Sequence, residues 1–273
     1  MTGSSRQVAF VYPQRTLPAS LTGSECRMGC AHCAGHYLRH MSSPGQAVRA
    51  LQEGRASSVL VSGGCDPPGT VPFMEHLPLL EQLRELGRVN LHSGLAGPRE
   101  AQAIAGRVDV VSLDMVGDDD TVREVYGHQR GARAYQDAYL ALRQHVRVVP
   151  HLCIGLRGGD LGHEYRVLDF LKREGVEHLV LLVFIPTRGT RYGDAEPPPL
   201  KEVQRVVLRA RTGLPSATLS LGCMRPGTRY RSDLDTMALR EGIDEIVNPS
   251  PPALRLAMEN GFEVSEKWEC CCL

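Results

Sequence analysis

Cys26, Cys30 and Cys33 stand in the run Ser24-Glu25-Cys26-Arg27-Met28-Gly29-Cys30-Ala31-His32-Cys33, a Cys-x3-Cys-x2-Cys spacing that follows an extended segment early in the chain. Three thiolates on one short loop can hold three irons of a cubane 4Fe–4S cluster and leave the fourth iron without a protein ligand. That open iron is a place where a substrate or cofactor binds. A structural zinc ion asks for a closed set of four donors instead, which His32 or His36 would complete. Taken alone, the three cysteines leave both chemistries open.

Other chemically capable residues fall at predicted strand ends. Gly63-Gly64 follows the run Ser57–Ser62 and lets a ligand approach the backbone, with carbonyls free to accept from an ammonium group. Asp114 closes Val111-Ser112-Leu113-Asp114, where a carboxylate can accept hydrogen bonds from ribose hydroxyls. Ser112 shares its face because strand side chains alternate. Of the remaining cysteines, Cys65, Cys153 and Cys223 lie at or near the ends of three different predicted strands, and Cys270, Cys271 and Cys272 form a tail. A buried Cys153 is adequately explained as a small hydrophobe. Three consecutive exposed thiols are not, because they would oxidise. A second iron–sulfur cluster explains the surplus better, with more candidate ligands than one cluster needs.

The elements that must position these residues alternate between strand and helix. The sequence predicts strands over Thr16–Thr22, Ser57–Ser62, Arg88–His92, Val108–Asp114, Arg147–Ile154, His178–Ile185, Ala217–Leu221 and Glu245–Val247, with helices between them. Ser43-Pro44 is a cap followed by proline at the first helical position. Pro78 belongs to the first turn of a helix carrying Leu79, Leu80, Leu83 and Leu86, or kinks it. Eight such units close a parallel (β/α)8 TIM-type barrel, whose function gathers at the C-terminal strand ends. We therefore expect an α/β barrel domain over 1–261 and a short cysteine-rich tail over 262–273 that can fold back to supply cluster ligands.

Composition narrows the partners. Lys+Arg and Asp+Glu both number 31, so no basic excess points to nucleic acid or an anionic membrane. Met1–Arg6 leads into no apolar signal region, and no apolar run is long enough to span a bilayer. The chain reads as cytoplasmic, where thiols stay reduced and nine cysteines serve metals rather than disulfides.

The cysteine spacing and its position resemble the radical S-adenosylmethionine (radical SAM) superfamily, and the likeness covers nearly the whole chain. The resemblance implies that the open iron chelates the amino and carboxylate groups of SAM, whose reductive cleavage gives methionine and a 5′-deoxyadenosyl radical. His32 takes the place of the family's aromatic residue near adenine. Gly63-Gly64 matches the start of a Gly-Gly-Glu that holds the SAM amino group, with Cys65 departing from the glutamate. Ile154-Gly155 resembles the family's Ile-x-Gly region beside adenine. Phe184-Ile185-Pro186-Thr187-Arg188-Gly189-Thr190 resembles the proline–Gly-Thr turn of biotin-synthase-like members, which implies that backbone of Phe184 or Ile185 pairs with the adenine edge.

Biotin synthase, which the chain resembles in this respect, places an auxiliary cluster inside its barrel on cysteines from separate strands and one arginine. Cys223-Met224-Arg225-Pro226 puts Arg225 about where that arginine lies. Such a cluster supplies sulfur to a carbon radical. The chain most resembles the shorter component of the two-protein, archaeal-type lipoyl synthase, through Ser20-Leu21-Thr22-Gly23, His32-Cys33-Ala34-Gly35-His36-Tyr37-Leu38 with Met41, Pro150-His151-Leu152-Cys153-Ile154-Gly155-Leu156 and Leu221-Gly222-Cys223-Met224-Arg225-Pro226. It departs from single-protein lipoyl synthases in having no auxiliary cysteine motif before Cys26. The resemblance implies an octanoylated lipoyl carrier protein or domain as substrate, a second lipoyl synthase component, and an electron donor such as ferredoxin or flavodoxin. A biotin-synthase-like mutase or methyltransferase would lose no sulfide during turnover. A zinc-binding module would be colourless and indifferent to SAM.

Overall fold

Short runs of valine, isoleucine and leucine, fenced by glycine, proline or charged residues, pair into a parallel sheet. The computed structural model describes residues 6–273. Its strands are β1 (Gln7–Val11), β2 (Thr16–Ser20), β3 (Ser58–Ser62), β4 (Arg88–His92), β5 (Val110–Asp114), β6 (Arg147–Ile154), β7 (His178–Val183), β8 (Thr218–Leu221), β9 (Glu245–Val247) and β10 (Glu263–Lys267). They form one sheet in the order β10-β1-β9-β8-β7-β6-β5-β4-β3-β2. Every neighbouring pair is parallel.

Strands β2 to β9 are the eight predicted from the sequence, and a helix follows each of them, as in a TIM-type barrel. Ser43 caps Pro44–Gln52 in a reciprocal capping box with Gln46, and Pro78 sits in the first turn of Leu77–Leu86 without kinking it. Strands β1 and β10 were not expected. They prolong the sheet beyond β9, and among the described residues no ladder joins β10 to β2. Residues 12–15 nevertheless connect β1 to β2, and a chain from Val11 to Thr16 spans at most roughly 17 Å. The sheet must therefore curl until its two ends approach each other.

Residues after β10 cross that gap. Arg15 N donates to the Trp268 carbonyl at 2.9 Å. Ser57 Oγ donates to Glu269 Oε1 at 2.8 Å, Cys270 N donates to Thr16 Oγ1 at 2.7 Å, and Arg88 forms an ion pair with Glu269. The tail thus fastens one end of the sheet to the other.

The core has two layers of different character. Outward-facing Val59, Leu91, Leu113, Leu152, Leu181 and Leu219 pack under the helices. Burying each such side chain stabilises the fold by about 1.5–3 kcal/mol. Inside the curl, Val11, Val110, Val149, Val180 and Val247 pack with Cys271 and Cys272. The remaining inner positions include buried Ser58, Asn90, Ser112, His151, His178, Ser220 and Glu245. Branched apolar residues usually fill such an interior, so this polar lining marks it as a place that holds something. No helix among the described residues is long and apolar enough to cross a membrane. Residues 1–5 of the segment read as lacking a signal region lie outside the described residues.

Candidate active site and metal centre

The loop after β2 carries the first three cysteines. Gly29 (φ +60°) and Gly35 (φ +75°) supply left-handed turns, and Ala34 adopts φ +43° between Cys33 and Gly35. Three backbone hydrogen bonds anchor the loop: Ala31 N to Val125 O at 2.7 Å, Tyr192 N to Ala31 O at 3.1 Å, and Arg27 N to Cys65 O at 3.3 Å. Thr22 Oγ1 accepts from Gly64 N at 2.7 Å and donates to Glu25 O at 2.9 Å. A Cβ on Gly64 would lie 2.0 Å from Glu25 O and 2.5 Å from Cys26 Cα. The absence of a side chain there is what lets the β3 turn press against the cysteine loop.

Cys26, Cys30 and Cys33 line one cavity of about 250 Å³ together with Gly63, Gly64, Cys65 and Asp114. A hydrogen bond between Cys30 and Cys33 pulls the Cys33 thiol down, with His32 assisting, and pushes the Cys30 thiol up. Cys65 is pushed up to about 12, chiefly by burial and then by Cys26 and Asp114. Cys65 therefore lies with the N-terminal cysteines and apart from the tail. His32 lines the cavity, and its buried Nδ1 has no hydrogen-bond partner in the protein. A buried polar atom without a partner calls for one. Three thiols on one loop, with Cys65 across the same cavity, beside a side-chain-free Gly63-Gly64 edge and an unpaired ring nitrogen, fit a cluster held by Cys26, Cys30 and Cys33 with a polar ligand next to it.

A second cavity, of about 460 Å³, adjoins the first and shares His32, His92 and Asp114 with it. Its walls are mostly apolar, from Leu60, Met115, Leu182 and Met224, and include Phe184, Ile185, Cys153 and Cys223. Burial raises the Cys153 thiol, Asp114 adding to it. Ile154 does not reach this cavity. Its side chain is packed in the outer core, and its carbonyl accepts from Phe184 N at 2.9 Å. His92 and His151 face each other with ring centroids 5.5 Å apart, and burial, then His151, holds His92 down to about 4.

The tail turns back into the barrel from the N-terminal side of the strands. The thiols of Cys270, Cys271 and Cys272 lie within 4.8 Å of one another. Asn90 Nδ2 donates to Cys270 Sγ at 3.6 Å and Ser112 Oγ to Cys272 Sγ at 3.4 Å. The same hydroxyl lies 2.9 Å from Asn90 Oδ1, so its one proton is shared between that oxygen and the Cys272 sulfur. Ser112 lines the upper cavity with Asp114, as its place on the same strand face implies, and its hydroxyl also reaches the tail. Hydrogen bonds from Cys271 and Cys272 lower the Cys270 thiol and raise their own. Cys223 is exposed where it opens into the second cavity.

Arg225 is engaged within the protein. Its guanidinium is buried in a two-point ion pair with Asp235, at 2.8 and 3.1 Å, and Nη1 donates to Gly222 O at 2.6 Å. Breaking such a buried pair costs about 3–5 kcal/mol, so Arg225 holds the turn after β8. Asn90, His92, Arg147 and His151 had not been singled out as functional. Polar residues at alternate positions of Arg88-Val89-Asn90-Leu91-His92 and Val149-Pro150-His151-Leu152-Cys153 were the available signal.

No protein-family model matches the chain, and no curated protein matches it. Solved structures do share its fold. HydG, a maturase of the FeFe-hydrogenase, superposes with a TM-score of 0.68 at 14% identity over 95% of this chain and 64% of its own. Methylornithine synthase PylB gives 0.63 at 15% identity over 90% of this chain and 73% of its own. SuiB of Streptococcus suis, solved with S-adenosylmethionine bound, gives 0.58 at 14% identity over 81% of this chain and 52% of its own. The chain thus spans less than two thirds of HydG and about half of SuiB. At these identities the likeness establishes the fold, and one fold hosts many activities.

Proposed function

We propose that this chain is a radical SAM enzyme that inserts sulfur into an unactivated carbon chain, the octanoyl group of a lipoyl carrier protein or domain, as one component of a lipoyl synthase. The observation that carries this reading is the placement of two cysteine sites: Cys26, Cys30 and Cys33 line the first cavity, and the tail cysteines lie next to the mostly apolar second cavity, where His151 on its wall reaches Cys272 Sγ at 3.7 Å. The shared fold of a SAM-bound structure supports the SAM half of it.

When bound, the first cluster supplies the electron that cleaves SAM to a hydrogen-abstracting radical, and an auxiliary 4Fe–4S cluster supplies sulfur. The protein's part is placement. Cys26, Cys30 and Cys33 hold the first cluster. Gly63 and Gly64 offer backbone to the SAM ammonium, Asp114 accepts from the ribose, and His32 and the Phe184–Ile185 backbone flank the adenine. Leu60, Met115, Leu182 and Met224 receive a saturated acyl chain, which a polar pocket would not favour. Cys270, Cys271 and Cys272 hold the auxiliary cluster, with Cys223 and Cys153 on the cavity wall beyond them. The hydrogen transfer needs no acid–base pair, only a target C–H held close to the reacting carbon with water excluded. A second lipoyl synthase component and a ferredoxin- or flavodoxin-type donor complete the reaction in the cytoplasm.

The test is anaerobic turnover with SAM, a low-potential reductant and an octanoylated lipoyl domain. The expected result is 5′-deoxyadenosine together with a domain heavier by sulfur, and loss of both in Cys30→Ala. Deoxyadenosine without sulfur in the product would replace this reading with a mutase or methyltransferase. Unchanged SAM cleavage in Cys30→Ala would remove the site assignment itself.

A further inference from the structure

The tail thiols have a neighbour of a different kind. His151, inward-facing on β6 and buried, places Nε2 3.7 Å from Cys272 Sγ. Its other ring nitrogen, Nδ1, lies 3.1 Å from the carbonyl of Val149. A carbonyl only accepts, so Nδ1 carries the proton and Nε2 is left with its lone pair turned toward Cys272. A metal-ligating histidine has this arrangement, with the distal N–H spent on a backbone carbonyl and the proximal nitrogen free to donate. The distance agrees. Two donors on one tetrahedral metal atom, with sulfur at about 2.3 Å and nitrogen at about 2.0–2.1 Å, stand roughly 3.6 Å apart.

We propose that His151 Nε2 is the fourth donor of the tail centre, completing a set of three thiolates and one imidazole with Cys270, Cys271 and Cys272. The inference deepens the proposed function, since it rests on the tail holding a metal centre. Asn90 donates to the Cys270 sulfur, and the Ser112 hydroxyl, its proton shared with Asn90 Oδ1, lies against the Cys272 sulfur; hydrogen bonds to thiolate sulfur stabilise the bound form. Arg147 fixes the tail backbone through the Cys272 carbonyl. The three thiols lie within 4.8 Å of one another and His151 lies outside that group, so the four donors suit a cluster whose corners stand apart, or one ion once the tail and the imidazole draw together.

The test uses full-length protein with Cys26, Cys30 and Cys33 changed to alanine, purified anaerobically, so that the tail centre alone remains. Metal and acid-labile sulfide are counted per chain, before and after challenge with a chelator, in this background and with His151→Ala, His151→Cys or Cys223→Ala added. Far-UV circular dichroism confirms folding of each variant. We expect His151→Ala to retain metal at least roughly tenfold more weakly, His151→Cys to restore retention, and Cys223→Ala to leave it unchanged. Labelling with 15N-histidine is expected to alter the nitrogen coupling in pulsed EPR of a reduced iron centre. X-ray absorption would report a nitrogen shell around zinc.

Full retention in His151→Ala, or a centre with no nitrogen coupling or shell, overturns the assignment while leaving the tail centre in place. Loss in Cys223→Ala with retention in His151→Ala gives the fourth position to Cys223. One zinc without sulfide, with a nitrogen shell, supports the donor set and removes the sulfur-donor role. A background protein with no metal at all overturns both.

Discussion

Arg147 Nη1 donates to the carbonyl oxygen of Cys272 at 2.6 Å. The same guanidinium reaches His178 Nδ1 at 3.2 Å, His178 Nε2 reaches Ser220 Oγ at 2.7 Å, and Ser220 donates to Glu245 Oε2 at 2.7 Å. Lys267 of β10 closes the chain on Glu245. One polar path thus ties the cysteine tail to β6, β7, β8, β9 and β10. Arg147→Ala should cost about 1–3 kcal/mol, the penalty for a buried acceptor left without its donor. It should also speed amide hydrogen exchange over residues 268–273 selectively. Exchange unchanged from wild type would show that Arg147 does not hold the tail.

Gly64 predicts a steric failure. A methyl group placed 2.0 Å from Glu25 O must displace backbone, since no flexible side chain is there to yield. Gly64→Ala should destabilise the fold by about 1–3 kcal/mol and loosen the cysteine loop enough to deplete iron at Cys26, Cys30 and Cys33. Iron analysis with a denaturant melt reads both, and normal iron at normal stability would contradict the packing argument.

Removing Cys270 through Leu273 should separate the two sites. We expect iron to fall by about four per chain, one cubane, and sulfur insertion to cease while reductive SAM cleavage persists. Undiminished iron and sulfur transfer after truncation would detach the tail from the chemistry.

His178 gives the fold a pH dependence of definite sign. Burial, opposed by Glu245, holds it down to about 4 from the ordinary 6.5. Unfolded chains take up this proton as pH drops below about 6.5, while the native state resists until about 4. The native state's advantage is complete above 6.5 and is lost progressively as pH falls between those values. His178→Gln should flatten the decline of unfolding free energy across that window. A slope identical to wild type would assign the acid sensitivity elsewhere.

How far the sequence disclosed this arrangement varied with the physics behind each feature. Strands β3 to β9 are buried runs whose side chains announce themselves. β10 is exposed along its length and reads as Glu-Val-Ser-Glu-Lys, so only its backbone pairing makes it a strand. The Cys26/Cys30/Cys33 loop was legible because its spacing is local. The neighbours of Cys65 were not legible because they depend on how close Gly64 lets two loops come. The ion pair of Arg225 was not legible because its partner, Asp235, lies on the next helix, and nothing local marks a buried ion pair. His151 and Asn90 needed the register, which sets both of them facing inward toward the tail.

The two cavities share His32, Tyr37, Leu38, Ser62, His92, Asp114 and Tyr126 as common walls. Two ligands lodged on either side of such a wall are not independent guests. Whatever factor the first contributes to the affinity of the second, by ordering those side chains, the second returns to the first. Any coupling between an occupant of the first cavity and one of the second therefore runs equally in both directions.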